Sequence, residues 1–331
     1  MMKKQVFIGI DVSKVTIDVS LFIPATQKLL HQQFSNKMSG FKQMLSWIEK
    51  QYSLTDCLFC MEDTGLYSYH LCYFLSSIQA HYVVESAYRI KHSMGIVRGK
   101  SDKADSAMVA TYAYRHADTL TLHQLPASKL MELKLLLTHR NRLLKQKNRL
   151  SCALYELKGV ESLLDVSFII AAHKAQIKAI KEQIKQANTQ IKGFFKEDKQ
   201  LAEQYKLLSS VPGVGLLIAA HMLAYSEGFT KFSSWRKFAC YVGTAPFPKQ
   251  SGTSIKGRTK VSAIGNRRLK GLLSMGAVNM IRTDTEYRRF YKRRIKEGKH
   301  HMVVLNTIRN KLISRMFAVI RRQTPYVALQ I

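Results

Sequence analysis

The sequence predicts an α/β domain followed by two largely helical regions, and three observations carry that prediction. Three short apolar runs open the chain, at 5–12, 15–23 and 29–35, before helix-like and strand-like segments begin to alternate. Leucines and then isoleucines recur every seven residues between 129 and 206. Positive charge collects at the end: residues 231–331 hold 23 Lys and Arg against 3 Asp and Glu, a net +20 within a chain total of +30.

The opening runs "QVFIGIDV", "VTIDVSLFI" and "LLHQQFS" read as consecutive strands, the first two joined by the tight "DVSK". Phe41, Leu45 and Ile48 give 39–51 a helical spacing. "CLFCME" at 57–62 is an apolar run of strand length, 66–77 is helical, 81–86 is a strand, and a helix runs from about Asp102 to His116. Three adjacent strands followed by alternating helix and strand is the order of an RNase H-like layer, a mixed sheet with helices on both faces. Cys57 and Cys60 fall three apart within a strand and so on opposite faces, which makes them core thiols rather than zinc ligands.

Between 126 and 206, Leu136, Leu143, Leu150 and Leu157 form one heptad series. Ile170, Ile177, Ile184 and Ile191 form a second, with Ile180 and Ala187 three places on. Gly159 and the polar break at 159–167 allow two readings: the helices fold back as a coiled-coil hairpin, or each pairs with a second subunit. From 207 onward, Pro212, Gly213 and Gly215 punctuate two apolar helices in the manner of a helix-hairpin-helix, whose glycine turn brings helix-start amides near a phosphate; a plain connector is the alternative. A short helix is expected at 235–243, a proline- and glycine-containing stretch at 244–268 that reads as a functional loop or a disordered link, and mostly helix over 269–322. The expected domains are therefore 1–125, 126–206 and 207–331.

No apolar run approaches the roughly 18–20 residues of a membrane span, and the N-terminus lacks the apolar core of a signal peptide, so a cytoplasmic protein without membrane partners is expected. An excess of twenty positive charges calls for a polyanion, and nucleic-acid phosphate is the natural one.

Within "RGKSDKADS", Asp102 and Asp105 lie three apart and share a helix face, about 5–6 Å apart at Cβ. Two like charges 4 Å apart cost about 4 kcal/mol at an effective dielectric of about 20, so the pair asks for a cation. A solvated helix start with Lys100 and Lys103 is the competing answer. Asp11 closes the first strand and Glu62 closes "CLFCME", and in an RNase H-like sheet these strands are neighbours with the Asp102 helix packed near their ends. Gathered together, Asp11, Glu62, Asp102 and Asp105 would make an all-oxygen site for one or two Mg²⁺ ions, of the kind that clamps a phosphodiester displacement. Taken singly, Asp11 also reads as a turn former before Ser13, and Glu62 as a helix-start charge.

The ordered set "GIDVSK", "MEDTGLY" and "GKSDKADS", continued by "SVPGVG", "FSSWRKFACYVGTAP", "KQSG" and "GNRRLK", resembles the DEDD transposases of insertion sequences. These join a RuvC-like domain to a serine-bearing transposase domain and are known as bridge-RNA-guided recombinases. The resemblance spans nearly the whole chain. It implies metal-dependent strand cutting and rejoining through a phosphoserine, with Ser251 matching the family's Ser-Gly motif and Ser254 as the rival hydroxyl in the same loop. Lys249, Lys256 and Arg258 are candidates to assist activation, and with Lys100, Lys103, Arg267 and Arg268 they are the expected nucleic-acid contacts. The implied partners are donor and target DNA, a structured guide RNA, and further copies of the chain, as dimers assembling to a tetramer near the bacterial nucleoid. Two other classes remain: a junction-resolving or RNase H-like nuclease in which the acids activate water, and a non-catalytic nucleic-acid scaffold.

Overall fold

In the computed structural model, which describes residues 4–95, 101–251, 255–283 and 285–327, the chain divides into two units, 1–125 and 126–331. The first is built on five strands: β1 (Val6–Val12), β2 (Thr16–Ile23), β3 (Lys28–Ser35), β4 (Cys57–Glu62) and β5 (Tyr82–Glu85). Their order in the sheet is β3-β2-β1-β4-β5, with β1, β2 and β3 antiparallel in turn and β4 and β5 parallel to β1. This mixed sheet is compatible with the RNase H-like order expected from the sequence.

Alternation sorts the side chains onto two faces. Ile8, Ile10, Val19 and Phe59 pack with Phe41, Met44 and Ile48 of α1 (Met38–Glu49) and with Leu71 and Leu75 of α2 (Leu66–Ser77). Phe7, Phe22, Leu58, Cys60 and Val83 pack on the other side with Ile90 of α3 (Ala87–Ser93) and with Val109, Ala110 and Tyr112 of α4 (Asp102–Arg115). The short α3 was not expected; seven residues with Ile90 as their one buried apolar anchor carry too little periodicity to announce a helix. Cys57 and Cys60 are both buried, and burial pushes each thiol up to about 12, as core thiols should be.

In the second unit, α5 (Ser128–Lys158) and α6 (Ser167–Glu197) pack as an antiparallel hairpin within the chain. Two contacts fix the direction: Arg140 Nε donates to Asn188 Oδ1 at 2.6 Å, and Lys129 lies 3.9 Å from Glu197. Ile170, Ile177, Ala187 and Ile191 are buried along the seam. The hairpin's base belongs to a larger core, in which Leu130, Leu133 and Leu137 join residues of α7 (Lys199–Ser209), α8 (Leu216–Ser226), α9 (Trp235–Val242), α10 (Arg267–Thr283) and α12 (His301–Arg322). Between α10 and α12 lies α11 (Thr285–Lys296).

The glycine turn between α7 and α8 has a packing role. Gly213 has φ +82, and a Cβ there would stand 2.6 Å from the carbonyl oxygen of Gly276 on α10, so glycine is required by a close crossing of protein on protein. The expected loop at 244–268 is corrected: it holds an antiparallel hairpin, β6 (Pro246–Ser251) and β7 (Ile255–Val261), with Pro246 opposite Val261 and Ser251 opposite Ile255. Two prolines and a register irregularity between Phe247 and Lys249 hid the strand pattern, and a two-stranded ribbon has edges throughout, where proline is tolerated. Asn306 and Asn310 of α12 donate to the carbonyl of Thr244 at 2.9 and 3.0 Å, tying the hairpin's foot to α12.

Candidate active site

Strand register lays a row of polar residues across the α4 face of the sheet. Gln33 pairs with Asp18, Asp18 with Asp11, and Glu62 with Glu85; Asp11 and Glu62 are brought side by side because Ile10 pairs with Met61 one step earlier on parallel β1 and β4. The N-terminal turn of α4 lies beside this row. Ser101 caps it by accepting from the Ala104 amide at 3.2 Å, and Asp102 and Asp105 occupy its first turn, where the helix dipole favours negative charge. Two devices hold α4 down: Gly9 has no side chain to keep Ala110 away, and the buried hydroxyls of Ser20 and Ser106 share a hydrogen bond of 2.8 Å.

Charge is balanced at the ends of the row and not at its centre. Asp18 accepts from His31 Nε2 and Gln33 Nε2, each at 2.9 Å. Glu85 accepts from Arg89 at 2.8 Å, from the Tyr112 hydroxyl at 3.2 Å and from the Ser86 amide at 2.8 Å. Among the described residues, Asp11, Glu62, Asp102 and Asp105 make no ion pair. Partial burial, followed by the charges of Asp105, Asp102, Glu62 and Asp18, pushes the Asp11 carboxyl up to about 6. The four acids named from the sequence are thus electrostatic neighbours. Among the described residues no three His, Cys, Asp or Glu side chains stand in metal-holding geometry. The donor set nonetheless fits a hard divalent cation in type and charge, because its oxygens are anionic and their mutual repulsion helps to raise Asp11.

Sequence reading missed Asp18 and Glu85. Asp18 carried a signal, an acid inside a run of otherwise inward apolar residues, since a buried carboxylate needs partners. Its partners, His31 and Gln33, became visible only with the β2–β3 register.

The remaining predicted residues are distributed over both units. Lys103 is exposed beside Asp102 on α4, and Lys100 lies outside the described residues. Ser251 is the last residue of β6, while Ser254 lies outside the described residues, as do the side chains of Ser251, Lys249, Lys256 and Arg258. Arg267 is exposed at the start of α10. Arg268 is half-buried, close to Arg140 and His221; burial, with these two arginines nearby, pushes His221 down to about 4.

Comparison with known proteins bears on both units. Residues 8–157 match a DEDD transposase model of the IS110 type, described as a transposase, and residues 205–292 match the model of the transposase IS116/IS110/IS902 family. The pilin gene-inverting proteins of Moraxella bovis and Moraxella lacunata are each 27% identical over 97% of this chain and 98% of their own length. The insertion element IS110 uncharacterized 43.6 kDa protein of Streptomyces coelicolor is 32% identical over 49% of this chain and 38% of its own.

Proposed function

Because the chain belongs to the IS110-type family of DEDD transposases, we propose that it cuts and rejoins DNA strands, with Ser251 as nucleophile and Asp11, Glu62, Asp102 and Asp105 holding Mg²⁺. The observation that supports the reading is that four acids from three separate elements are electrostatic neighbours, none of them in an ion pair among the described residues, with Asp11 pushed up to about 6. When bound, the cation supplies Lewis-acid stabilisation of charge developing on phosphoryl oxygens. Ser251 attacks phosphorus; its Oγ–P bond forms as the bond to the leaving sugar oxygen breaks, and the proton that the serine hydroxyl gives up to solvent is balanced by the one that the leaving oxygen takes. The reverse attack by a sugar hydroxyl rejoins a strand without an external energy source. Lys249, Lys256, Arg258 and Arg267 are the phosphate contacts of the second unit, and Lys100 and Lys103, which flank Asp102 in the sequence, those of the first.

Rejoining is favoured over hydrolysis by the relatives named for inverting a pilin gene, because inversion must reconnect every end it makes. The net +20 of residues 231–331 suits a structured guide RNA together with donor and target DNA. The α5–α6 tip, where Leu163 is 80% and Phe168 84% exposed, suits a second copy of the chain, giving dimers that assemble to a tetramer.

A water-activating nuclease is the second reading, favoured by the completeness of the acidic row without any serine from the second unit. The experiment is to trap the reaction on a substrate nicked near the crossover, digest the protein, and find the nucleotide-bearing peptide by mass spectrometry. An adduct on Ser251, absent in Ser251→Ala and retained in Ser254→Ala, is expected. Hydrolysed ends with no adduct would promote the nuclease.

A further inference from the structure

A cleft of about 1310 Å³ opens in the second unit between α9, the foot of the β6–β7 hairpin and α12. Six cations line it, namely Arg236, Lys260, Lys270, Arg309, Lys311 and Arg315, and its lining includes no Asp or Glu among the described residues. Arg309 is only 4% exposed, and its Nε is buried with no hydrogen-bond partner among the described residues; its Nη1 reaches Asn306 Oδ1 at 3.3 Å. Asn310 Oδ1 and Arg315 Nη1 are likewise buried without a partner, although Arg315 also lies 3.5 Å from Glu286. Burial, with Arg309 nearby, holds Lys270 below its ordinary value.

A guanidinium kept from water and left without a carboxylate costs several kcal/mol unless an anion arrives. The Nδ2 groups of Asn306 and Asn310 are committed to the Thr244 carbonyl, and the neutral Asn306 Oδ1 that accepts from Arg309 does not neutralise the charge of the floor. We propose that this cleft seats the phosphodiester backbone of a single nucleic-acid strand, with Arg309 and Lys270 on a phosphate at its floor. The choice of nucleic acid rests on the strand-exchange reading.

Two features favour a single strand over a duplex. The cleft exceeds the ~300–1,000 Å³ of a small-molecule pocket, which suits an extended ligand, and its floor cation is sunk almost wholly out of solvent, beyond the reach of a rigid double helix touching the surface. Trp235, with the Arg236 guanidinium 5.0 Å from its ring centre, offers the aromatic and planar surface on which unpaired bases stack.

The test measures binding of labelled fifteen-nucleotide oligo-dT, oligo-U and a blunt duplex to the full chain by fluorescence anisotropy. Lys260→Ala/Lys311→Ala removes two cations from the rim, Arg309→Gln one from the floor, and Arg321→Ala/Arg322→Ala the same two charges from outside the cleft. Single-strand affinity should fall at least tenfold in both cleft variants and less than twofold in the outside control, with duplex affinity nearly constant. The slope of log K against log salt should drop by about 1.4 in the rim double variant, at about 0.7 per contact for single strands. A loss confined to oligo-dT assigns the strand to DNA, one confined to oligo-U assigns it to RNA, and an equal loss assigns recognition to the phosphates. If Arg309→Gln does not fold, the rim variant decides alone. Wild-type single-strand binding in the rim variant, or an equal loss in the outside control, overturns the proposal. Absence of a Ser251 adduct alongside intact cleft effects would sink the serine reading and leave the cleft standing.

Discussion

A Cβ built on Gly9 would stand 2.2 Å from the backbone nitrogen of Ala110, so β1 and α4 touch main chain to main chain at the residue two before Asp11. That contact carries Asp102 and Asp105 to the carboxylate row, because the α4 that bears them can approach the sheet only where a side chain is missing. Gly9→Ala should therefore push α4 away. The expected loss is about 3 kcal/mol or more in urea unfolding, at the upper end for overpacking, with loss of strand cleavage. Gly271 on α10 is the comparison: a Cβ added there would meet nothing within 4 Å, and Gly271→Ala should stabilise by about 0.5–1 kcal/mol.

The pH dependence of the metal-free chain follows from Asp11. Its folded value of about 6 lies above the ordinary 3.8, so the folded state holds a proton that the unfolded state has already released. Stability contributed by this group is full below about 4 and declines as pH rises to about 6, after which the penalty is constant. In chelator, Asp11→Asn should raise the melting temperature at pH 7.5, and the gain should shrink to nothing toward pH 4. Thermal melts at the two pH values check this, and equal shifts at both would contradict it.

Inner and outer carboxylates should answer metal differently. Asp102→Asn should weaken Mg²⁺ binding in calorimetry at least tenfold and abolish cleavage while nucleic-acid binding stays nearly intact. Glu85→Gln should leave Mg²⁺ affinity within about twofold, because Glu85 is already satisfied by Arg89 and Tyr112. A larger effect at Glu85 than at Asp102 would move the metal along the row.

The tip of the helical hairpin should govern assembly without governing folding. Leu163→Ser/Phe168→Ser alters two side chains that are 80% and 84% exposed, so the melting temperature should change little. Sedimentation velocity should show the chain shifted toward smaller species. An unchanged distribution would direct the search for the copy-to-copy contact elsewhere.

Much of the first unit was legible in the sequence because its strands alternate cleanly. Inward Ile8, Ile10, Val19 and Phe59 announce the sheet, and the same period places Asp11 and Glu62 on the opposite face. The heptads announced two helices equally well. Their partner was undecided, since an apolar stripe of that period seals as well against its own chain as against another, and the contacts of Arg140 with Asn188 and Lys129 with Glu197 identify the partner as the same chain.

By itself, then, the sequence named the four acids as candidates and determined the excess of charge in the last hundred residues and the type of nearly every regular element, all of which depend on local pattern. Tertiary structure alone decided that Asp18 and Glu85 extend the row, that Gly213 serves a crossing with Gly276, that residues 246–261 form a hairpin, and that Arg309 lies at the floor of a cleft. Each of these depends on which distant residue a side chain meets. Strand register and helix crossing make those pairings, and they come from burying whole faces together rather than from any run of neighbours along the chain.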